Sequence, residues 1–156
     1  MGAMETNFKV VATNRKASHE YFLLERYEAG IALQGSEIKS IRAGQISLAE
    51  AYIRLDGSGA WLEDAHIAPY EQAGHFNHEP RRPRRLLLHR KEIRQLWNEV
   101  RQKGMTIVPT RMYLKNGRAK LEIAVAKGKK LYDKRQTIAK RDAEREIERD
   151  YRRTGE

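Results

Sequence analysis

The chain has 156 residues and no cysteine. That excludes a disulfide-stapled scaffold, a zinc ribbon, an iron–sulfur centre and a thiol nucleophile. No apolar run approaches the roughly 18–20 residues that a membrane-spanning helix needs. The first residues contain no apolar leader core either, so a soluble cytoplasmic protein is expected. There is no glycine-rich phosphate loop with its lysine, which argues against an NTPase. No serine sits in a nucleophile elbow. Acidic residues are the minority, 21 Asp and Glu against 31 Lys and Arg, for a net charge of +10. Such an excess suits a polyanionic partner, nucleic acid first and an anionic membrane second. Hydrophobic residues make up 40%, enough for a core, while 33% charged residues require that part of the chain be heavily solvated. Met1-Gly2-Ala3-Met4 reads as a cloning remnant and is set aside.

Residues 5–18 are polar and are expected to be loose, with a flexible N-terminus over 1–13. Tyr21–Glu28 is rich in aromatic residues and predicts a strand. Ala29-Gly30 predicts a bend or bulge, with Ile31–Leu33 continuing beyond it. Ser36 predicts a helix N-cap, Ile38 and Ile41 share one face, and Gly44 supplies the stop. The helix over about 36–43 is expected to expose Lys39, Ser40 and Arg42. Two apolar runs around Asp56-Gly57-Ser58-Gly59 predict a hairpin, its second arm extending through His66 until Pro69. Residues 71–85 read as a loop. Ile93, Leu96, Trp97 and Val100 form an apolar stripe that predicts a helix over about 90–103, ended by Gly104. His89 and Glu92 have capping-box spacing at its start. Lys115-Asn116-Gly117 between two alternating runs predicts a second hairpin. These elements point to a mainly β fold. The expected architecture is a small, closed or partly closed antiparallel β-barrel of oligonucleotide-binding type with two or three peripheral helices.

Beyond residue 127 the composition changes. Residues 127–156 carry 11 Lys and Arg, seven Asp and Glu, and a thin apolar stripe of Ala139, Ala143, Ile147 and Tyr151. Pairs such as Arg141–Glu144 and Asp142–Arg145 favour a helix by roughly 0.2–0.5 kcal/mol each. So narrow a stripe buries little. The segment 133–156 is therefore expected to be a disordered basic tail that becomes helical on a partner.

Little points to catalysis or to a metal. His75-x-x-His78 with Glu79 imitates a metal site, but the third-ligand context is absent, and two solvated loop histidines are the expected reading. A nuclease using His75, His78 or Glu37 lacks a carboxylate cluster. A structural ribosomal protein is the other alternative. The basic run is more informative: Arg81, Arg82, Arg84, Arg85, Arg90, Lys91 and Arg94 lie close together beside a triple-leucine segment and a helix N-terminus. Arginine forks match phosphate and stack on bases. Arg84 and Arg85, with Lys39 and Arg42 on the first helix, are candidate RNA ligands.

The residues also resemble a known family. Asn14-Arg15-Lys16-Ala17, the stretch from Tyr27 to Gly44 with its Gly-Ser-Glu-Ile-Lys-Ser core, Ile67-Ala68-Pro69-Tyr70, Arg85-Leu86-Leu87-Leu88-His89, and Ala126 to Arg135 with Gly-Lys-Lys-Leu-Tyr-Asp-Lys-Arg occur in the order found in SsrA-binding proteins. The resemblance spans nearly the whole chain from residue 14. It implies an oligonucleotide-binding-type barrel over 14–132 and no enzymatic activity or cofactor. The implied partners are the tRNA-like domain of transfer-messenger RNA and, through it, the stalled 70S ribosome and its rRNA. Elongation factor Tu is implied only indirectly, through the charged RNA. No membrane is implied, and a monomer is expected. Glu28, Leu87 and His89 stand at positions the family associates with RNA binding; asparagine occupies position 89 in some relatives. Asp133, Lys134 and Arg135 at the root of the tail, with Ile138, Lys140, Arg141 and Arg145, are implied in ribosome engagement. Some relatives carry tryptophan where this chain has Ala143.

Overall fold

The computed structural model describes residues 8–129. Among these described residues nine strands and three α-helices follow one another: β1 (Phe8–Thr13), α1 (Arg15–Glu20), β2 (Tyr21–Ile31), α2 (Gly35–Arg42), β3 (Ile46–Ser47), β4 (Tyr52–Asp56), β5 (Gly59–Glu63), β6 (His66–Ile67), β7 (Arg84–Leu87), α3 (Arg90–Lys103), β8 (Thr106–Lys115) and β9 (Arg118–Gly128), with a 3-10 turn at Glu71–Phe76. Seven strands form one sheet in the order β1-β8-β9-β2-β7-β5-β4, and β3 pairs with β6 separately. Every pairing is antiparallel. The sheet curls until β4 lies near β8. The β-rich antiparallel fold is as expected, but hydrogen bonding does not close it: among the described residues the ladder ends at β1 and β4.

The local signals act where chemistry leaves little choice. Asn116 and Gly117 both take positive φ, 52° and 81°, as a two-residue hairpin turn requires. Leu121, Ile123 and Val125 then face inward together, every second residue of β9. Gly104 ends α3 in the left-handed conformation, as expected. The Glu92 carboxylate accepts the His89 N–H at 3.0 Å. The core gathers Ile41, Leu48, Leu62, Ile67, Leu86, Leu96, Ile107, Met112, Leu121 and Ile123. Of the α3 stripe, Leu96 alone is fully buried; Ile93, Trp97 and Val100 are half-buried.

Several expectations need correction. The segment expected to be loose contains β1, paired to β8, and α1. Asn14 makes the junction: its side chain donates to the Pro109 carbonyl at 2.8 Å and accepts the Ala17 N–H at 3.2 Å. The β2 bulge lies between Leu23 and Arg26, not at Gly30. Gly30 pairs with Leu87, and a Cβ there would sit 3.2 Å from the Leu87 Cβ, so its missing side chain permits the close approach of β7. The first hairpin turns through Gly57-Ser58 alone, and His66–Ile67 leaves it to pair with Ile46–Ser47. The N-cap of α2 is Gln34, whose N–H meets the Glu37 carboxylate at 2.8 Å. Ser40 is buried and donates to the Ala68 carbonyl at 2.6 Å.

Candidate RNA interface

Strand β7 separates two adjacent arginines. Side chains alternate across a strand, so Arg84 and Leu86 point into the protein while Arg85 and Leu87 point out. Arg84 is wholly buried. Its Nε donates to Glu37 Oε2 at 2.6 Å, Nη1 to the Ala65 carbonyl at 2.7 Å and Nη2 to the Pro80 carbonyl at 3.0 Å. Arg82 donates to the other Glu37 oxygen. Burial alone would raise the Glu37 carboxyl, but hydrogen bonds from Arg82, the Gln34 amide and Arg84 outweigh it and hold the group below its ordinary value. Arg84 is thus the internal counter-ion of Glu37. It cannot serve as the RNA ligand expected from the sequence, because each of its nitrogens is already engaged inside the protein.

The outward neighbours line a groove of about 1050 Å³. Glu28 and Gly30 enter it from β2, Arg85 and Leu87 from β7, and His89 from the N-cap of α3. Leu87 is 57% exposed, an apolar surface on its floor. Arg85 Nη2 donates to the Ser58 carbonyl at 3.1 Å, which holds its guanidinium along one wall. Lys115 Nζ stands 3.6 Å from Glu28 Oε2. Burial, reinforced by a hydrogen bond to Glu28, pushes the Tyr113 hydroxyl up to about 12. The opposite wall is cationic: Lys115, Arg118 and Lys120 border the β8–β9 turn. An apolar floor, the Glu28 and Glu92 carboxylates and a rim of cations can accept a nucleotide chain, with phosphates at the rim and base or ribose donors at Glu28.

Four expected residues, Glu28, Arg85, Leu87 and His89, therefore meet in one place. Lys39 and Arg42 do not: they are exposed on α2, outside the groove lining. Lys39 Nζ instead lies 5.6 Å from the centre of the Tyr70 ring. The sequence reading missed Lys115, Arg118 and Lys120. The signal was present in the Asn-Gly turn, since its register sets Lys115 opposite Arg118 and Tyr113 opposite Lys120. Asp133, Lys134, Arg135, Ile138, Lys140, Arg141 and Arg145 lie outside the described residues.

The histidine expectation also changes. His75 is exposed, but His78 is buried, with Nδ1 2.8 Å from Ser36 Oγ and Nε2 2.8 Å from the Ile67 carbonyl. The carbonyl can only accept, so Nε2 donates to it; in the neutral ring Nδ1 then accepts a hydrogen bond from the Ser36 hydroxyl. This ties the end of the 71–78 segment to α2. Glu37 and His78 are both committed inside the protein, so of the three residues that the nuclease alternative names only His75 stays exposed. Among the described residues, no cluster of three or more His, Asp or Glu could hold a metal ion. No helix there is long and apolar enough to cross a membrane.

Comparison with known proteins follows the same lines. The family model described as SmpB protein matches residues 11–153. An SsrA-binding protein of Roseiflexus sp. (strain RS-1) is 63% identical over 142 residues, covering 90% of each chain. One from Desulforudis audaxviator (strain MP104C) is 58% identical over 141 residues, covering 90% of this chain and 92% of that one. A solved chain described as belonging to tmRNA-SmpB in the bacterial ribosome superposes with a TM-score of 0.64 at 47% identity, covering 75% of this chain and 82% of that one.

Proposed function

The chain belongs to the SmpB family of SsrA-binding proteins, and from that premise we propose that it is a non-enzymatic RNA-binding adaptor. It grips the tRNA-like domain of transfer-messenger RNA and delivers that RNA to ribosomes stalled without a usable codon. It works in the cytoplasm as a monomer. The observation that carries this reading is the groove, where Glu28, Arg85, Leu87 and His89 converge from three elements between cationic walls. Shape and phosphate contacts of this kind suit a folded RNA. The RNA-binding body runs to Tyr132, and β1 belongs to it. Residues 133–156 form the ribosome-engaging segment, with Asp133, Lys134, Arg135, Ile138, Lys140, Arg141 and Arg145 as its contacts.

The test is binding of the tRNA-like domain against a random single strand of equal length over a range of salt. Preferential binding that weakens steeply with salt is expected, because phosphate contacts release counterions. Equal affinity for the two RNAs would overturn the reading. Truncation after Tyr132 is expected to keep RNA affinity yet abolish peptide tagging in a reconstituted translation reaction. Loss of RNA affinity in that truncation would refute the division of labour between body and tail.

A further inference from the structure

Phe76 is 88% exposed, the largest exposure of any large hydrophobic residue among those described. It ends the Glu71–Phe76 turn, and that turn is braced. Asn77 Oδ1 accepts the Tyr70 N–H and Asn77 Nδ2 donates to the Tyr70 carbonyl, each at 2.8 Å. Asn77 Nδ2 also reaches the Gly74 carbonyl at 3.4 Å. One residue further, buried His78 bonds Ser36 on α2. The ring is therefore held out at the end of a pinned segment. Leaving a Phe in water forgoes about 2 kcal/mol of burial, part of which a flat apolar surface laid on the ring would recover.

The surroundings say which partner. From Glu71 to Asn77 no second large apolar side chain accompanies Phe76, whereas protein-binding hot spots sit in sheltered apolar clusters. Across Tyr70, which the Asn77 side chain clasps, stands Lys39, with exposed Arg42 on the same helix. Glu71 and Glu79 are the acidic neighbours in sequence, and Glu79 Oε1 accepts the Arg81 N–H at 3.1 Å. A lone exposed ring on a segment whose other end, Tyr70, carries Lys39 over its face matches the stacking platforms that hold unpaired bases while Lys and Arg take the flanking phosphates.

We propose that Phe76 stacks on an unpaired nucleotide of the RNA that the groove receives, with Lys39 and Arg42 on the adjoining phosphates. This second contact rests on the adaptor reading and extends the RNA footprint beyond the groove to α2 and the 71–78 segment.

The experiment measures affinity for the tRNA-like domain of transfer-messenger RNA with Phe76→Ala, Phe76→Leu and Phe76→Trp at several salt concentrations. Ala and Leu are expected to weaken binding about tenfold, Trp to preserve it, and the salt slope to stay unchanged, since a stacked base carries no counterion release. Lys39→Ala is expected to reduce that slope by about one. Melting temperature should not move in the Phe76 variants. Wild-type affinity in Phe76→Leu would overturn the proposal, because bulk without a π-face would then suffice. So would a loss confined to ribosome binding, or to capture of another protein. If Phe76→Ala binds fully while Arg85→Ala does not, the stacking contact fails and the adaptor reading stands. If the unaltered protein shows no preference for the tRNA-like domain, both fail.

Discussion

The two sides of β7 hold similar residues and do opposite things. Inside, Arg84 and Arg82 converge on Glu37, with His78 and Ser36 close by along α2. Outside, Arg85, Leu87 and Glu28 open onto a groove. Both regions contain arginine and glutamate, and both join β7 to neighbouring elements. The difference is water. The inner carboxylate and guanidinium are stripped of it and must be satisfied wholly within the protein; among the described residues no buried side-chain polar atom lacks a partner. The outer charges keep their hydration and can exchange it for a ligand. A charge thus becomes structural or functional according to the phase of one strand.

Removing the inner arginine is the largest perturbation of that contrast. Arg84→Ala leaves Glu37 charged, buried and partly unpaired, and is expected to lower unfolding free energy by about 3–5 kcal/mol in a denaturant titration. The same change at Arg85, on the outer side, is expected to alter stability by no more than about 0.5 kcal/mol. Comparable losses at both positions would erase the distinction.

The next test titrates the inner region. Glu37 has its folded value held below its ordinary 4.5. A carboxyl lowered on folding stabilises the fold above its unfolded value, and that contribution is lost as pH falls through the folded one. Stability is therefore expected to decline on acidification below about pH 4.5, and Glu37→Gln should flatten the decline. Some slope should remain, because Glu122, bound by Thr110, Arg111 and Arg26, is also held low despite its burial. An unchanged acid limb in Glu37→Gln would mean that its carboxylate is not the group being titrated.

On the outer side the readout is RNA. Arg85→Ala is expected to weaken binding of the tRNA-like domain about tenfold and to reduce the salt slope by about one, as loss of a phosphate contact does. Glu28→Gln should weaken specific binding without reducing that slope, since a carboxylate cannot hold phosphate. A fall in thermal stability equal to the fall in binding free energy would assign Glu28 to its Lys115 contact instead.

The same contrast explains what could be read in the residues alone. Hairpin β8–β9 was legible because Asn-Gly satisfies a two-residue turn almost uniquely. Helix α3 was legible because periodicity, a cap and a glycine stop agree. Glu28, Leu87 and His89 came from family resemblance, and the groove unites them with Arg85. Arg84 was misread because a basic run states charge but not phase; the inward Leu86 two residues on carried the phase, had β7 been placed first. Strand β1 escaped because it lies at the sheet edge, with Phe8 and Val10 exposed, and its order comes from β8. The β3–β6 pairing escaped for a related reason: two-residue strands have no periodicity to detect.

The smallest effect tests whether the groove uses His89 for charge or for shape. His89 caps α3 while lining the groove, and its backbone N–H is held by Glu92. Asparagine is at least as good an N-cap and keeps a polar edge, but it carries no positive charge. His89→Asn is expected to leave stability within about 0.5 kcal/mol and to leave both RNA affinity and salt slope unchanged, whereas His89→Ala should cost about 1 kcal/mol through the lost cap. A reduced salt slope in His89→Asn would instead make the imidazolium a phosphate ligand. His89 would then join Arg85 in the cationic wall, and the α3 terminus would contribute charge to the groove as well as geometry.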